Sequence, residues 1–141
     1  MSIQSRSDRE RFSRLRQTLG RLSGEIRRVI EPVFSDQPMI RGTVYELRRR
    51  CGKPGCRCAR GELHASMVIS ASQGGRTKLR VIPRGVLGEV QKKVRRYQDH
   101  RRARARLGEV YRRMVGVIDE MEAMRLEVFS HSGKKRSLGD P

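Results

Sequence analysis

The sequence predicts an α+β protein. Two long amphipathic helices, paired antiparallel in coiled-coil fashion, flank a small antiparallel β-sheet that carries a Cys3His zinc knuckle. Three observations lead there. Apolar residues alternate at spacings of three and four in both the N-terminal and C-terminal parts of the chain, the mark of a helical stripe. Two short β-branched stretches surround Gly74-Gly75, a hairpin signature. Cys51, Cys56, Cys58 and His64 fall within fourteen residues and make up the ligand set of a closed structural zinc site.

The helical expectation rests first on Phe12, Leu15, Leu19, Leu22, Ile26, Val29 and Val33, one unbroken stripe. It predicts a helix from Ser7 to Glu31, with Ser7 and Glu10 as a capping box and Pro32 ending the register. Gly20 and Gly24 weaken it. The segment from Gly42 to Arg50 has the β-branched and aromatic content of a strand running into Cys51. After His64, residues 67–71 and 77–82 read as two strands of a hairpin, with Lys78 and Arg80 on one face opposite Leu79 and Val81. That basic face is expected to be open to water.

Pro83 suits the first position of a second helix, where a missing N–H costs nothing. Val86, Val90, Val94 and Tyr97 start its stripe, the charged run from His100 to Arg106 interrupts it, and Leu107, Val110, Met114, Val117, Met121, Met124 and Val128 resume it. Spacing leaves open whether the helix is continuous from His100 to Gly108. The expected organisation is an N-terminal helix in residues 1–38, a knuckle and hairpin unit in 39–83, a long basic helix or helix pair in 84–129, and a disordered basic tail in 130–141 holding Lys134, Lys135 and Arg136.

Charge sets the class of partner. Lys and Arg number 33 against 15 Asp and Glu, giving a formal charge of +18 and a pI near 11.4, and such an excess calls for a polyanion. The basic residues cluster three times: Arg48, Arg49, Arg50, Lys53, Arg57 and Arg60 at the knuckle; Lys78 and Arg80 on the hairpin; Lys92, Lys93, Arg95, Arg96, Arg101, Arg102, Arg104 and Arg106 on the second helix. These are the candidate nucleic-acid-binding residues. With no Trp, three Phe and three Tyr there is little aromatic surface for stacking unpaired bases, so double-stranded DNA leads over RNA.

The cysteines fit a metal better than bridges. Three cannot all pair within one chain, and their neighbours are Gly, Lys, Pro and Arg rather than core residues. In an extended strand Cys56 and Cys58 would lie too far apart to chelate, so Cys56-Arg57-Cys58 must turn. His64 is the expected fourth ligand, with Glu62 or water as the alternative. His100 and His131 read as solvent-exposed. No apolar leader opens the chain, and no apolar run nears the roughly 18 residues of a membrane span, so the expectation is a cytoplasmic protein with no membrane partner. No nucleophile elbow, phosphate-binding Gly loop or carboxylate cluster appears, and no enzymatic activity is expected.

The run Arg50-Cys-Gly-Lys-Pro-Gly-Cys-Arg-Cys-Ala-Arg-Gly-Glu-Leu-His64 resembles an uncharacterised family of small prokaryotic proteins, a domain of unknown function. In that family a strand leads into C-G-K-P-x-C-R-C-A-x-G-x-x-H, then an aromatic-rich hairpin, a proline and a long charged helix. The resemblance covers about Arg41 to Arg106. Family members follow the histidine with Gly-Pro and several tyrosines, whereas this chain has Ala65-Ser-Met-Val-Ile, so a base-stacking hairpin is not implied. The resemblance implies the strand, knuckle, hairpin and helix order and, through a loose association with mobile elements, DNA. The expected function is that of a non-enzymatic, zinc-stabilised nucleic-acid-binding protein. The alternative is a coiled-coil adaptor whose stripes recruit a helical partner or form a homodimer, with a structural zinc site.

Overall fold

The computed structural model of the chain describes residues 5–130. His131 and the basic stretch Lys134 to Arg136 lie outside the described residues. The order of elements is helix α1 (Arg6–Val29), strands β1 (Thr43–Arg49), β2 (His64–Gln73) and β3 (Arg76–Val81), then helix α2 (Leu87–Ala123), with short 3-10 turns at Glu31–Phe34, Arg57–Arg60 and Arg84–Val86. The α+β class holds, with a three-stranded antiparallel sheet of order β1-β2-β3. No helix is long and apolar enough to cross a membrane among the described residues.

The cap of helix α1 lies two residues before the expected one. The Ser5 hydroxyl accepts the Asp8 N–H at 3.0 Å and the Asp8 carboxylate accepts the Ser5 N–H at 3.3 Å, a reciprocal cap that holds the Asp8 carboxyl below its ordinary range, chiefly through the Ser5 hydroxyl. Ser7 is already helical and so cannot cap, while Glu10 accepts from Arg6 one turn away at 3.3 Å. The helix ends at Val29 and passes into the 3-10 turn that begins at Glu31, where Pro32 blocks its continuation. Val33 therefore leaves the stripe.

Two compact units divide the chain: residues 5–26 with 109–130, and residues 27–108. In the first, Leu22 and Val110 are buried, Arg11 of α1 forms an ion pair with Glu120 of α2, and Leu19 lines a groove with Ile118, Met121 and Leu126. The second unit holds the sheet, all four candidate metal ligands and the first part of α2. Its buried apolar side chains are Cys58, Val68, Ile82, Val94 and Ala103.

Helix α2 is unbroken through the basic run. Val94 and Ala103 are both buried, yet nine residues are two and a half turns, so they lie on opposite sides of the helix. Ala103 and Val110, seven apart, share a side. The interruption of the stripe is therefore a change of buried face and not a break. At its end the helix stops short of the expected stripe: it finishes at Ala123, and Val128 is 93% exposed. Pro83 is also outside the helix. Its ψ of 142° is extended, and it precedes the 3-10 turn Arg84–Val86, after which α2 begins at Leu87.

The linker before β1 is strapped to α2. Arg96 donates to the Pro38 carbonyl at 3.3 Å, the Ile40 N–H donates to the Lys93 carbonyl at 3.1 Å, and Arg41 Nε donates to the Tyr97 hydroxyl at 2.8 Å. Lys78 and Arg80 do share a face of β3, paired with Ala71 and Ile69. That face borders an apolar groove made with Ile40, Val86 and Val90, so it is not simply open to water. Leu79 and Val81 on the other face are more than half exposed.

Candidate metal centre

The site is assembled by one turn, one short helix and one strand register. Cys51 follows the last residue of β1 after one intervening arginine. Gly52 has a φ of 80°, a left-handed conformation that glycine adopts without a steric penalty. The Cys56 N–H then donates to the Lys53 carbonyl at 3.3 Å across Pro54-Gly55, a proline-started β-turn. Cys56 is itself extended, and the 3-10 turn Arg57–Arg60 begins directly after it. This supplies the turn that chelation by Cys56 and Cys58 requires. Gly61, with a φ of 107°, ends the 3-10 segment, its N–H donating to the Cys58 carbonyl.

His64 arrives by strand pairing. It opens β2 and lies opposite Arg49, the last residue of β1. Neighbouring strands are about 4.8 Å apart, so this register puts the imidazole near the point where β1 hands over to Cys51. The ligand atoms of Cys51, Cys56, Cys58 and His64 all lie within 4.8 Å of one another. Cys51 Sγ is 3.5 Å from Cys58 Sγ, and Cys56 Sγ is 3.1 Å from His64 Nε2. For a tetrahedral ion with metal–sulfur bonds of about 2.3 Å the donor–donor edge is about 3.8 Å. The four atoms are thus close enough to hold a metal ion.

The electrostatics favour a cation at their centre. Cys58 is 1% exposed, and the Cys51 N–H donates to its sulfur at 3.3 Å. That donation, the largest influence, pushes the Cys58 thiol down to about 7. Cys51 moves the other way. The Lys53 N–H lowers its pKa, but hydrogen bonding with Cys58, burial and the Cys56 thiol together outweigh that and leave it raised. Three adjacent thiols cannot all ionise against one another unless a metal offsets their charge.

A family model described as a domain of unknown function, DUF6788, matches residues 10–92. The chain belongs to the DUF6788 family. No curated protein and no solved structure gives a match. The DUF6788 region extends further toward the N-terminus than the resemblance in the cysteine motif, taking in most of α1, and it stops within the first turns of α2.

Within this DUF6788 chain the expected basic residues meet different fates. Arg49, Arg50, Lys53, Arg57 and Arg60 are exposed around the ligand loop. Arg48 is exposed but donates to Glu46 at 2.8 Å. Of the eight on α2, Arg96 holds the Pro38 carbonyl, Lys92 sits 3.5 Å from Glu89, Arg102 pairs with Asp99, and Lys93 is half-buried under the strap. Lys92 and Arg101 are nine residues apart and so lie on opposite sides of the helix. The structure does not gather these eight on one face. Gln73, Arg76 and Arg84, which the sequence did not single out, are exposed as well.

Proposed function

We propose that this DUF6788 chain is a non-enzymatic nucleic-acid-binding protein, stabilised by one structural zinc ion on Cys51, Cys56, Cys58 and His64, with double-stranded DNA as its partner. The observation that carries the reading is the convergence of four ligand atoms within 4.8 Å inside a loop whose charged exposed side chains include Lys53, Arg57 and Arg60. Three thiolates and an imidazole favour zinc over magnesium or calcium, which prefer oxygen. With all four positions taken by protein, the ion supplies folding free energy rather than an open coordination site. The net charge of +18 supports a polyanionic partner.

Metal analysis and mobility shift test this together. The purified chain is expected to carry about one zinc per chain, the complement of one closed site, and to bind duplex DNA with an affinity that drops on the order of a thousandfold between 50 and 200 mM salt if about six phosphates are engaged. Binding that stays flat across the salt titration, or is absent for duplex DNA and RNA alike, sinks the nucleic-acid reading. A folded, metal-free protein sinks the zinc reading.

One observation supports the adaptor reading as the second choice. Tyr111, Val115 and Ile118 form an apolar row at helical spacing on α2 and are exposed, Tyr111 at 65%. This row suits a second copy of the chain or a helical partner packed in coiled-coil fashion. Sedimentation of the nucleic-acid-free protein separates the readings, since a stable dimer abolished by Ile118→Lys, with no DNA affinity, supports the adaptor.

A further inference from the structure

We infer that the β2–β3 hairpin is a ribbon that enters the major groove of duplex DNA, with Gln73 and Arg76 at base edges and Lys78 and Arg80 on the flanking phosphates. The inference rests on the nucleic-acid reading above and adds to it a surface and a mode of contact. Strand register is the first support. Pairing of β1 with β2 stops at Thr43 and Ser70, whereas Ala71, Ser72 and Gln73 continue to pair with Lys78, Thr77 and Arg76 alone. A two-stranded ribbon therefore runs past the edge of the sheet by three residue pairs.

Its tip is tight and unencumbered. Gly74 and Gly75 have φ of 57° and 76°, the paired left-handed conformations of the turn that suits a twisted hairpin, and a Cβ built on either would meet nothing within 4 Å. Two strands about 4.8 Å apart, with their side chains, fit a groove about 12 Å wide. Gln73 and Arg76 are direct cross-strand partners, which sets them side by side on one face. Their amide and guanidinium have the donor and acceptor geometry that reads adenine and guanine edges in that groove.

Charge is the second support. No Asp or Glu occurs between Glu62 and Glu89. Arg76, Lys78 and Arg80 are exposed and take part in no ion pair among the described residues, in contrast to Arg48, Lys92 and Arg102. Their cationic row continues along the same face from the tip toward the sheet, the arrangement needed to reach a phosphate backbone once the tip is seated.

The test uses the full-length metal-loaded protein and fluorescence anisotropy on a pool of random-sequence duplexes, followed by sequencing of the bound fraction. Arg76→Ala is expected to weaken duplex binding on the order of tenfold and to lower the salt slope by about one. Gln73→Ala removes no charge, so its salt slope is expected to match the wild type while the base preference of the enriched sequences is lost at one position. Arg9→Ala on α1 loses the same charge as Arg76→Ala and serves as its comparison. If the wild type binds with strong salt dependence but Arg76→Ala matches Arg9→Ala and Gln73→Ala keeps the base preference, the hairpin assignment falls and the nucleic-acid reading stands. If the wild type binds no duplex at all, both fall. Duplex RNA bound as tightly as DNA also overturns groove entry, because the A-form major groove is too narrow for side chains. Unchanged thermal midpoints of the variants establish that each is folded.

Discussion

Removing the metal is expected to disorder the loop from Cys51 to His64 while most of the helical signal survives. The loop has fourteen residues, and ordering each backbone position costs about 1 to 2 kcal/mol, so the loop as a whole costs roughly 14 to 28 kcal/mol. Against this the structure sets four backbone hydrogen bonds within the loop and one fully buried side chain, Cys58, together worth about 5 kcal/mol. The shortfall is about 9 to 23 kcal/mol, and structural zinc in small cysteine-histidine sites supplies about 10 to 16 kcal/mol at neutral pH, the same order. Hydrogen exchange read by mass spectrometry is the assay, on the protein as purified and after stripping with a strong chelator. Peptides within 51–64 are expected to lose their protection on stripping and to regain it with added zinc, and Cys58→Ser is expected to behave like the stripped protein. Unchanged protection in a sample verified to be metal-free would refute the reasoning, since the loop's own contacts would then suffice to hold it.

Three further outcomes are expected. Gly20 and Gly24 lie inside α1 with nothing within 4 Å of an added Cβ, so Gly20→Ala and Gly24→Ala should each stabilise by about 1 kcal/mol, read as a rise in the thermal midpoint; a fall would mean the glycines serve a partner's close approach. Leu22 is 3% exposed, and Leu22→Ala should cost about 2 to 5 kcal/mol in denaturant unfolding. Arg41 donates to the Tyr97 hydroxyl and lies over its ring, 5.8 Å from the centroid, and the hydrogen bond from Arg41 is the largest influence holding the Tyr97 phenol below its ordinary range. Arg41→Leu should therefore raise the pH at which tyrosinate absorbance appears. A depressed phenol pKa stabilises the fold only above the ordinary phenol range, and that stability is lost as pH falls through the folded pKa, so neutral-pH stability should not report this charge effect.

Much of the candidate site was legible because its chemistry is local. Three cysteines and a histidine among glycines and a proline specify a turning, ligand-rich loop whatever surrounds them, and the structure adds the 3-10 turn after Cys56 that the spacing demanded. The hairpin was legible from Gly74-Gly75 for the same reason, since two consecutive positive φ values restrict which residues fit. The apolar stripe of α1 identified Leu22 as core because helical periodicity is fixed by backbone geometry.

Other features were not legible, and most of them depend on neighbours far along the chain. Ser5 and Asp8 cap α1 in place of Ser7 and Glu10, a choice made by where the first turn closes. Arg41, Lys93 and Arg96 read as a partner-binding surface or went unnoticed, yet they strap the linker to α2, because linker backbone groups with no strand partner, such as the Pro38 carbonyl and the Ile40 N–H, bond whichever group of α2 lies within reach. The basic run from His100 to Arg106 looked like a possible break in a helix. It is where α2 turns a different face inward, and only a second set of packing partners imposes that. Sequence by itself determined which residues are able to hold a metal and where strands and helices lie, since ligand chemistry and backbone period are properties of neighbours in the chain. Tertiary structure decided which cations stay exposed and how far the hairpin reaches past β1, since burial and strand register depend on segments that the chain brings together only when it folds.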